Sequence, residues 1–300
     1  MRSLRGNTAA ELKVWFWNAR QLAARADAAH SSPSALKKAH ILDCLSGEGR
    51  PDVFFVCEVN GSLRDLTRLR GEARRVGYEM PFMIGSRRGG DTSARPQFVN
   101  SIVAFTRRGA GRVVWHCEEE LRCWVVRFRP CKSARTVNLV CLHGIHGARD
   151  SDEWCAAQSS FVTQADAAAN AVASGGGLVL GDFNFVPCAS WRTGQGEEAA
   201  TGYAKVHMER VQGLFGWTCA CCTPGRPPSA GFVVGPWRRE DGSIVWTRRE
   251  ATAAGWQYAR IDGAAAYGRE ASLWRMETPM WPADEREGFP RLDLSDHAVI

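Results

Sequence analysis

Eight polar residues stand where apolar runs of this sequence stop or break. Asn18 ends "LKVWFWN", Glu58 follows "PDVFFVC", His143 closes "NLVCLH", and Asp182 and Asn184 close "LVLGDFN". Asp262 ends "WQYARID", and Asp296 with His297 lies in "LSDHAVI". A carboxylate or amide at the end of a buried strand is costly to bury unless something pairs with it. If these strand ends meet at one edge of a fold, four carboxylates, two amides and two imidazoles share a pocket. Crowded carboxylates repel, so the pocket calls for a cation or a shared proton. Oxygen donors with few thiols nearby suit Mg²⁺, or Mn²⁺, better than zinc. The chemistry this points to is a hard divalent metal working beside a phosphate.

The elements that must hold these groups read as short strands alternating with helices. Residues 12–18 are apolar at nearly every position and rich in β-formers, which predicts a strand covered on both faces. "ARADAAH" and "PSALKKAHILDCL" have helical composition, with Pro33 suited to a first turn. Residues 51–59 predict a second buried strand. "SLRDLTRLRGEARRVG" predicts an amphipathic helix with Leu63, Leu66 and Leu69 on its apolar face and Gly77 as terminator. Next, "FVNSIVAFTRR", "GRVVWHC", "CWVVRFRP" and "TVNLVCLHG" predict an antiparallel series. A helix is expected over "DSDEWCAAQSSFVTQADAAANAVA", stopped by Gly175 to Gly177. Residues 188–258 read as loops, with a hairpin turning at Asp241-Gly242. The whole predicts a four-layered α/β sandwich, two packed mostly antiparallel sheets flanked by helices. It forms one domain over 12–300 after a tail of 1–11.

Bulk properties narrow the class. A hydrophobic fraction of 45% and twelve Trp are ample for a large core. The net charge of +6 fits a partner that carries phosphates without requiring one. Eleven Cys, an odd number with Cys57 and Cys141 inside apolar runs, point to reduced thiols in a reducing compartment. The "CACC" cluster at 219–222 lacks a second pair at zinc-finger spacing. No stretch of about 18 apolar residues predicts a membrane span, and no signal-peptide pattern opens the chain. These features place the protein inside the cell, in the nucleus or cytoplasm. His116 and His146 read as structural, the arginines of 87–96 as a solvated loop, and Trp191 and Trp237 as packing.

The pieces "FWNAR", "PDVFFVCEV", "VCLHG", "LGDFN", "ARID" and "SDHAV" occur in order over 14–300. In that order they resemble the endonuclease/exonuclease/phosphatase superfamily, which includes deoxyribonucleases, abasic-site endonucleases and endonuclease domains of non-LTR retrotransposons. "WNAR" resembles the Asn-x-Arg pattern of the deoxyribonuclease-like side. His143 is similar both to that side and to the sphingomyelinase and phosphoinositide-phosphatase branches. The resemblance implies a divalent-metal-dependent phosphodiester hydrolase, first of all a DNA endonuclease of the retroelement type. Alternatives are a phosphatase or phosphodiesterase on small or lipid-headgroup phosphates, and an inactive nucleic-acid-binding homologue. By the same resemblance Glu58 holds Mg²⁺ (or Mn²⁺), with Asn18 and Asp296 as further ligands. Asp182 accepts the proton of the attacking water, Asn184 orients it, and His143 serves the leaving oxygen. His297, held by Asp262, contacts the scissile phosphate, and Arg20 and Arg122 meet flanking phosphates. The sequence departs from the pattern at "GAAAYG" after "ARID", at Asn60, and at Ile300, three residues past His297. The expectation is a truncated last strand, in a fragment of a longer polypeptide fused to a reverse transcriptase.

Overall fold

The computed structural model describes residues 12–20, 22, 33–84, 86–87, 97–118, 123–131, 135–144, 176–182, 232–233, 248–252, 255–259 and 262–267. It also describes Thr163, Ala167, Asn170 and Val172, all four helical. Asn184, the Asp241-Gly242 turn, the "CACC" cluster, Asp296 and His297 lie outside the described residues, as do Arg122, His146, Trp191 and Trp237.

One mixed sheet is built on β1 (Val14–Asn18), β2 (Val53–Ser62) and β6 (Gln97–Arg107). β1 runs parallel to β2, and β2 pairs antiparallel with β6. The short strands β3 (Tyr78–Glu79), β4 (Phe82–Met83) and β5 (Ser86–Arg87) all add to the other side of β6. The second mixed sheet contains β7 (Gly111–Glu118), β8 (Cys123–Pro130), β9 (Val137–His143) and β10 (Gly177–Asp182). With β11 (Phe232–Val233) and β14 (Asp262–Tyr267) its order is β11-β14-β10-β9-β8-β7. β12 (Arg248–Thr252) and β13 (Gly255–Ala259) form a separate hairpin.

Two expectations change here. The antiparallel series over 98–143 is divided, because β6 pairs with β2 while β7, β8 and β9 form the other sheet. The turn 108–110 therefore carries the chain from one sheet to the other. "WQYARID" is likewise two strands, so Asp262 opens β14 rather than ending the strand before it.

Strands apolar on both faces are explained by what covers them. From β2, Val53, Phe55 and Cys57 enter a core between the sheets with Phe16, Ile102, Trp124, Phe128, Leu139, Cys141 and Leu180. Phe54 and Val56 instead pack outward with Trp17, Phe105 and the helices α1 (Pro33–Ser46) and α2 (Leu63–Arg75). Val172, from the helical residues beyond β9, is fully buried. Helix, sheet, sheet and helix make the four layers of an α/β sandwich. Cys57 and Cys141 are buried, and burial pushes the Cys141 thiol well up.

α2 shows how the local sequence sets an element. Ser62 caps its start and exchanges hydrogen bonds with Asp65 in a capping box. Gly77, at φ 90°, ends it in a left-handed turn that a side chain adopts only under strain. The buried face is Leu66, Leu69 and Ala73, whereas Leu63 is half exposed, because the cap places Leu63 in the first turn on the solvent side. Burying the two leucines stabilises the layer by about 1.5–3 kcal/mol each.

Candidate active site

The site sits on the seam between the two sheets. On β1, Phe16 faces the other sheet and Trp17 faces the helices, so Asn18 returns to the seam at the strand's end. The same alternation carries Leu178, Leu180 and Asp182 on β10, and Leu139, Cys141 and His143 on β9. Register then aligns the ends: Asp182 lies opposite His143 on one side and opposite Asp262 on the other. Asp262 is placed there by the backbone register of β14.

Gly181 makes the alignment possible. A Cβ there would run into the Leu142 carbonyl of β9, so any larger residue would force β10 away from β9. The glycine of "LGDFN" is thus a packing requirement one residue before the carboxylate it delivers.

Glu58 arrives differently. It does not end β2, as the sequence suggests, but sits inside it, where the pairing with β6 slips between Val56 and Val59. Its backbone lies in the left-handed region at φ 53°, unusual for a residue with a side chain. Such a bulge re-aims a side chain out of the strand's alternation. Here it brings the Glu58 carboxylate to the seam, with 23% of the side chain exposed.

Asn18, fully buried, joins the two sheets. Its Nδ2 donates to Glu58 Oε1 at 3.0 Å and to Asp182 Oδ2 at 2.8 Å. Its Oδ1 accepts the Arg20 N–H at 2.8 Å, which fixes which end of the amide faces the acids. His143 Nε2 lies 3.4 Å from Glu58 Oε1. One donor atom from each of Glu58, His143 and Asp182 lies within 4.8 Å of the others. Two ionised carboxylates at that separation repel by about 3–4 kcal/mol at an effective dielectric near ~20. The neutral amide supplies hydrogen bonds but no charge, so the group suits a cation. Its donors are carboxylate oxygens and an imidazole nitrogen, with no thiol among them. That set can hold a divalent metal ion.

Of the residues expected from sequence, the structure brings Asn18, Glu58, His143 and Asp182 together and sets Asp262 in register beside them. Arg20 is exposed two residues beyond Asn18, at φ 39°. Lys37 was not among them, yet it is 8% exposed and its Nζ donates to the carbonyls of Ala19 and Arg20 beside the site. The signal was a lysine on the apolar face of α1, four residues before Ile41 and eight before Leu45.

No family model matches the sequence, and no curated protein matches it. Solved structures do. An AP endonuclease from Archaeoglobus fulgidus is similar with a TM-score of 0.60 at 13% identity, over 96% of this chain and 97% of that one. The endonuclease domain of TRAS1, a telomere-specific non-LTR retrotransposon, is similar with a TM-score of 0.53 at 13% identity, over 96% of each chain. TDP2 from D. rerio, complexed with a single-strand DNA product, is similar with a TM-score of 0.52 at 15% identity, over 97% of each.

Proposed function

Starting from a chain with the fold of the endonuclease/exonuclease/phosphatase superfamily, we propose that it is a divalent-metal-dependent phosphodiesterase whose substrate is DNA, cut as a retroelement-type endonuclease cuts it. The observation that carries this reading is the meeting of Glu58, Asp182 and His143 around one buried amide at the seam. The likeness to a retrotransposon endonuclease domain and to a DNA-product complex supports DNA as the substrate, and the net charge of +6 agrees with a polyanion.

Glu58 and the expected Asp296 would hold the metal, with the Asp182 carboxylate closing the same pocket, and a divalent ion there would polarise the phosphoryl oxygen and offset developing charge. Asp182 accepts the proton of the attacking water, with Asn184 orienting that water. General-base help of this kind contributes roughly 10²–10⁴-fold. Asn18 keeps one N–H on each carboxylate, so both acids stay aimed at the pocket. His143, buried and beside Glu58, donates a hydrogen bond to the leaving oxygen. Asp262 orients His297 on the phosphate, and Arg20 and Arg122 meet flanking phosphates.

The test is nicking of supercoiled plasmid by the purified chain with Mg²⁺ or Mn²⁺, against EDTA and Asp182→Asn. Nicking lost in both controls is expected, with a fall in rate of at least about 10²-fold for the variant. No nicking, with turnover of bis-p-nitrophenyl phosphate, would move the substrate to small phosphodiesters. Neither activity in a folded protein would overturn the hydrolase reading.

A further inference from the structure

The inward face of α1 carries Lys37, Ile41, Cys44 and Leu45. Three of these pack against the first sheet; Lys37 is the polar intrusion among them. Burying an ammonium is costly unless its hydrogens are taken up, and here they are directed at main chain. Nζ donates to Ala19 O at 2.7 Å and to Arg20 O, both in the turn that follows β1.

That turn is tied at several points. Ala19 N–H donates to Cys57 O and Leu22 N–H donates to Glu58 O, each at 3.2 Å. Between them Arg20 takes the left-handed conformation at φ 39°, which a residue with a side chain adopts only when its surroundings hold it there. In this conformation its N–H reaches Asn18 Oδ1. The Arg20 N–H thus decides that Asn18 offers its two N–H groups, and not its oxygen, to Glu58 and Asp182.

We propose that Lys37 is a positioning residue: its ammonium, by gripping the Ala19 and Arg20 carbonyls, holds the strained turn that sets the orientation of the Asn18 amide and so the spacing of the two carboxylates. The proposal deepens the phosphodiesterase reading and rests on it. Without the ammonium, the Ala19 and Arg20 carbonyls lose a donor, the turn relaxes toward extended backbone, and the Arg20 N–H leaves Asn18. The amide can then rotate and present oxygen to a carboxylate, which opens the pair and spoils the cation pocket.

The experiment uses the full chain with Lys37→Met, Lys37→Gln and the neighbouring control Lys38→Met. Lys38 bridges α1 to Glu72 of α2, away from the turn. Mn²⁺ affinity is read by electron paramagnetic resonance, kcat and KM by plasmid nicking, and folding by near-ultraviolet circular dichroism. Groups that orient a ligand typically contribute about 10–100-fold to metal affinity or activity. Lys37→Met is expected to lose affinity and kcat in that range, with KM within about threefold. Lys37→Gln, which keeps a donor for one carbonyl, falls between Lys37→Met and wild type, and Lys38→Met matches wild type in both readouts. Should Lys37→Met fail to fold, the Lys37→Gln protein decides the matter, and full Mn²⁺ affinity there overturns the proposal. Equal losses in Lys37→Met and Lys38→Met also overturn it, since that pattern marks general loosening of the helix. Wild type that binds Mn²⁺ without nicking removes the endonuclease reading and leaves the Mn²⁺ series to judge Lys37. Wild type that binds no Mn²⁺ overturns both.

Discussion

Replacing Asn18 by alanine separates two roles that a static picture can confuse. The side chain is fully buried and makes hydrogen bonds of 3.0 and 2.8 Å to carboxylates and 2.8 Å to a backbone N–H. A hydrogen bond to a charged group contributes about 1.5–3 kcal/mol and a neutral one about 1 kcal/mol. Three such bonds set an upper bound of about 4–7 kcal/mol. Water at the partly exposed Glu58 replaces some of this, so the expected loss of stability in EDTA is about 2–4 kcal/mol. The decisive quantity is how that loss changes with metal. If Asn18 holds both acids aimed at the pocket, the variant loses that aim and gains less from a cation than wild type does. The difference then widens with saturating Mg²⁺, by about 1–3 kcal/mol for a roughly 10–100-fold loss of affinity, following the mass-action stabilisation of a bound state. If Asn18 is only a structural tie between the sheets, both proteins gain alike and the difference stays as it is in EDTA. Urea unfolding of both proteins, with EDTA and with Mg²⁺, reads the sign directly. A gap that stays level or narrows, or a loss below about 0.5 kcal/mol in EDTA, would refute the positioning argument.

Gly181→Ala should cost at least about 1–3 kcal/mol, as overpacked sites do, and should abolish nicking, because the new methyl meets the Leu142 carbonyl and displaces Asp182; urea unfolding and plasmid nicking check it. Tyr78 is fully buried and donates to Pro51 O at 2.6 Å, and burial pushes its pKa up to about 12. The folded chain therefore keeps this proton after the unfolded chain has released it. The stability it contributes is whole below about pH 10 and is lost as the pH rises toward 12, by about 2–3 kcal/mol at most. Unfolding at pH 9 and 12 should show that slope in wild type and not in Tyr78→Phe; equal slopes would refute it.

Much of the site was legible because strand ends advertise themselves. Asn18, His143 and Asp182 close apolar runs, and the structure keeps each at its strand end. The helices α1 and α2 were legible from composition and from their boundaries at Pro33 and Gly77. What escaped depended on partners far along the chain. The bulge at Glu58 is a mismatch with β6, which begins at Gln97, and no pattern within 51–62 records it. The division of 98–143 between two sheets follows from which neighbour β6 finds, since period-two alternation is the same in either sheet. The half-exposed Leu63 reflects the Ser62 cap, which decides where the helix begins and therefore which side its first residue takes. Lys37 interrupts the apolar face of α1 ahead of Ile41 and Leu45, but only the turn after β1 shows that its ammonium feeds two carbonyls and not water.

The bond from Asn18 to Asp182 spans 164 positions of chain. During synthesis the first sheet's strands and helices all emerge well before "LVLGDFN" does. A nascent chain can hold Asn18, Glu58 and a finished first layer and still have no pocket to offer. The pocket then forms in one late event, the closing of one sheet against the other. Contacts of such sequence separation form slowly, since loop closure comes before their reward. In the reading proposed above, a chain that stops short of β10 would lack Asp182 and with it the cutting activity.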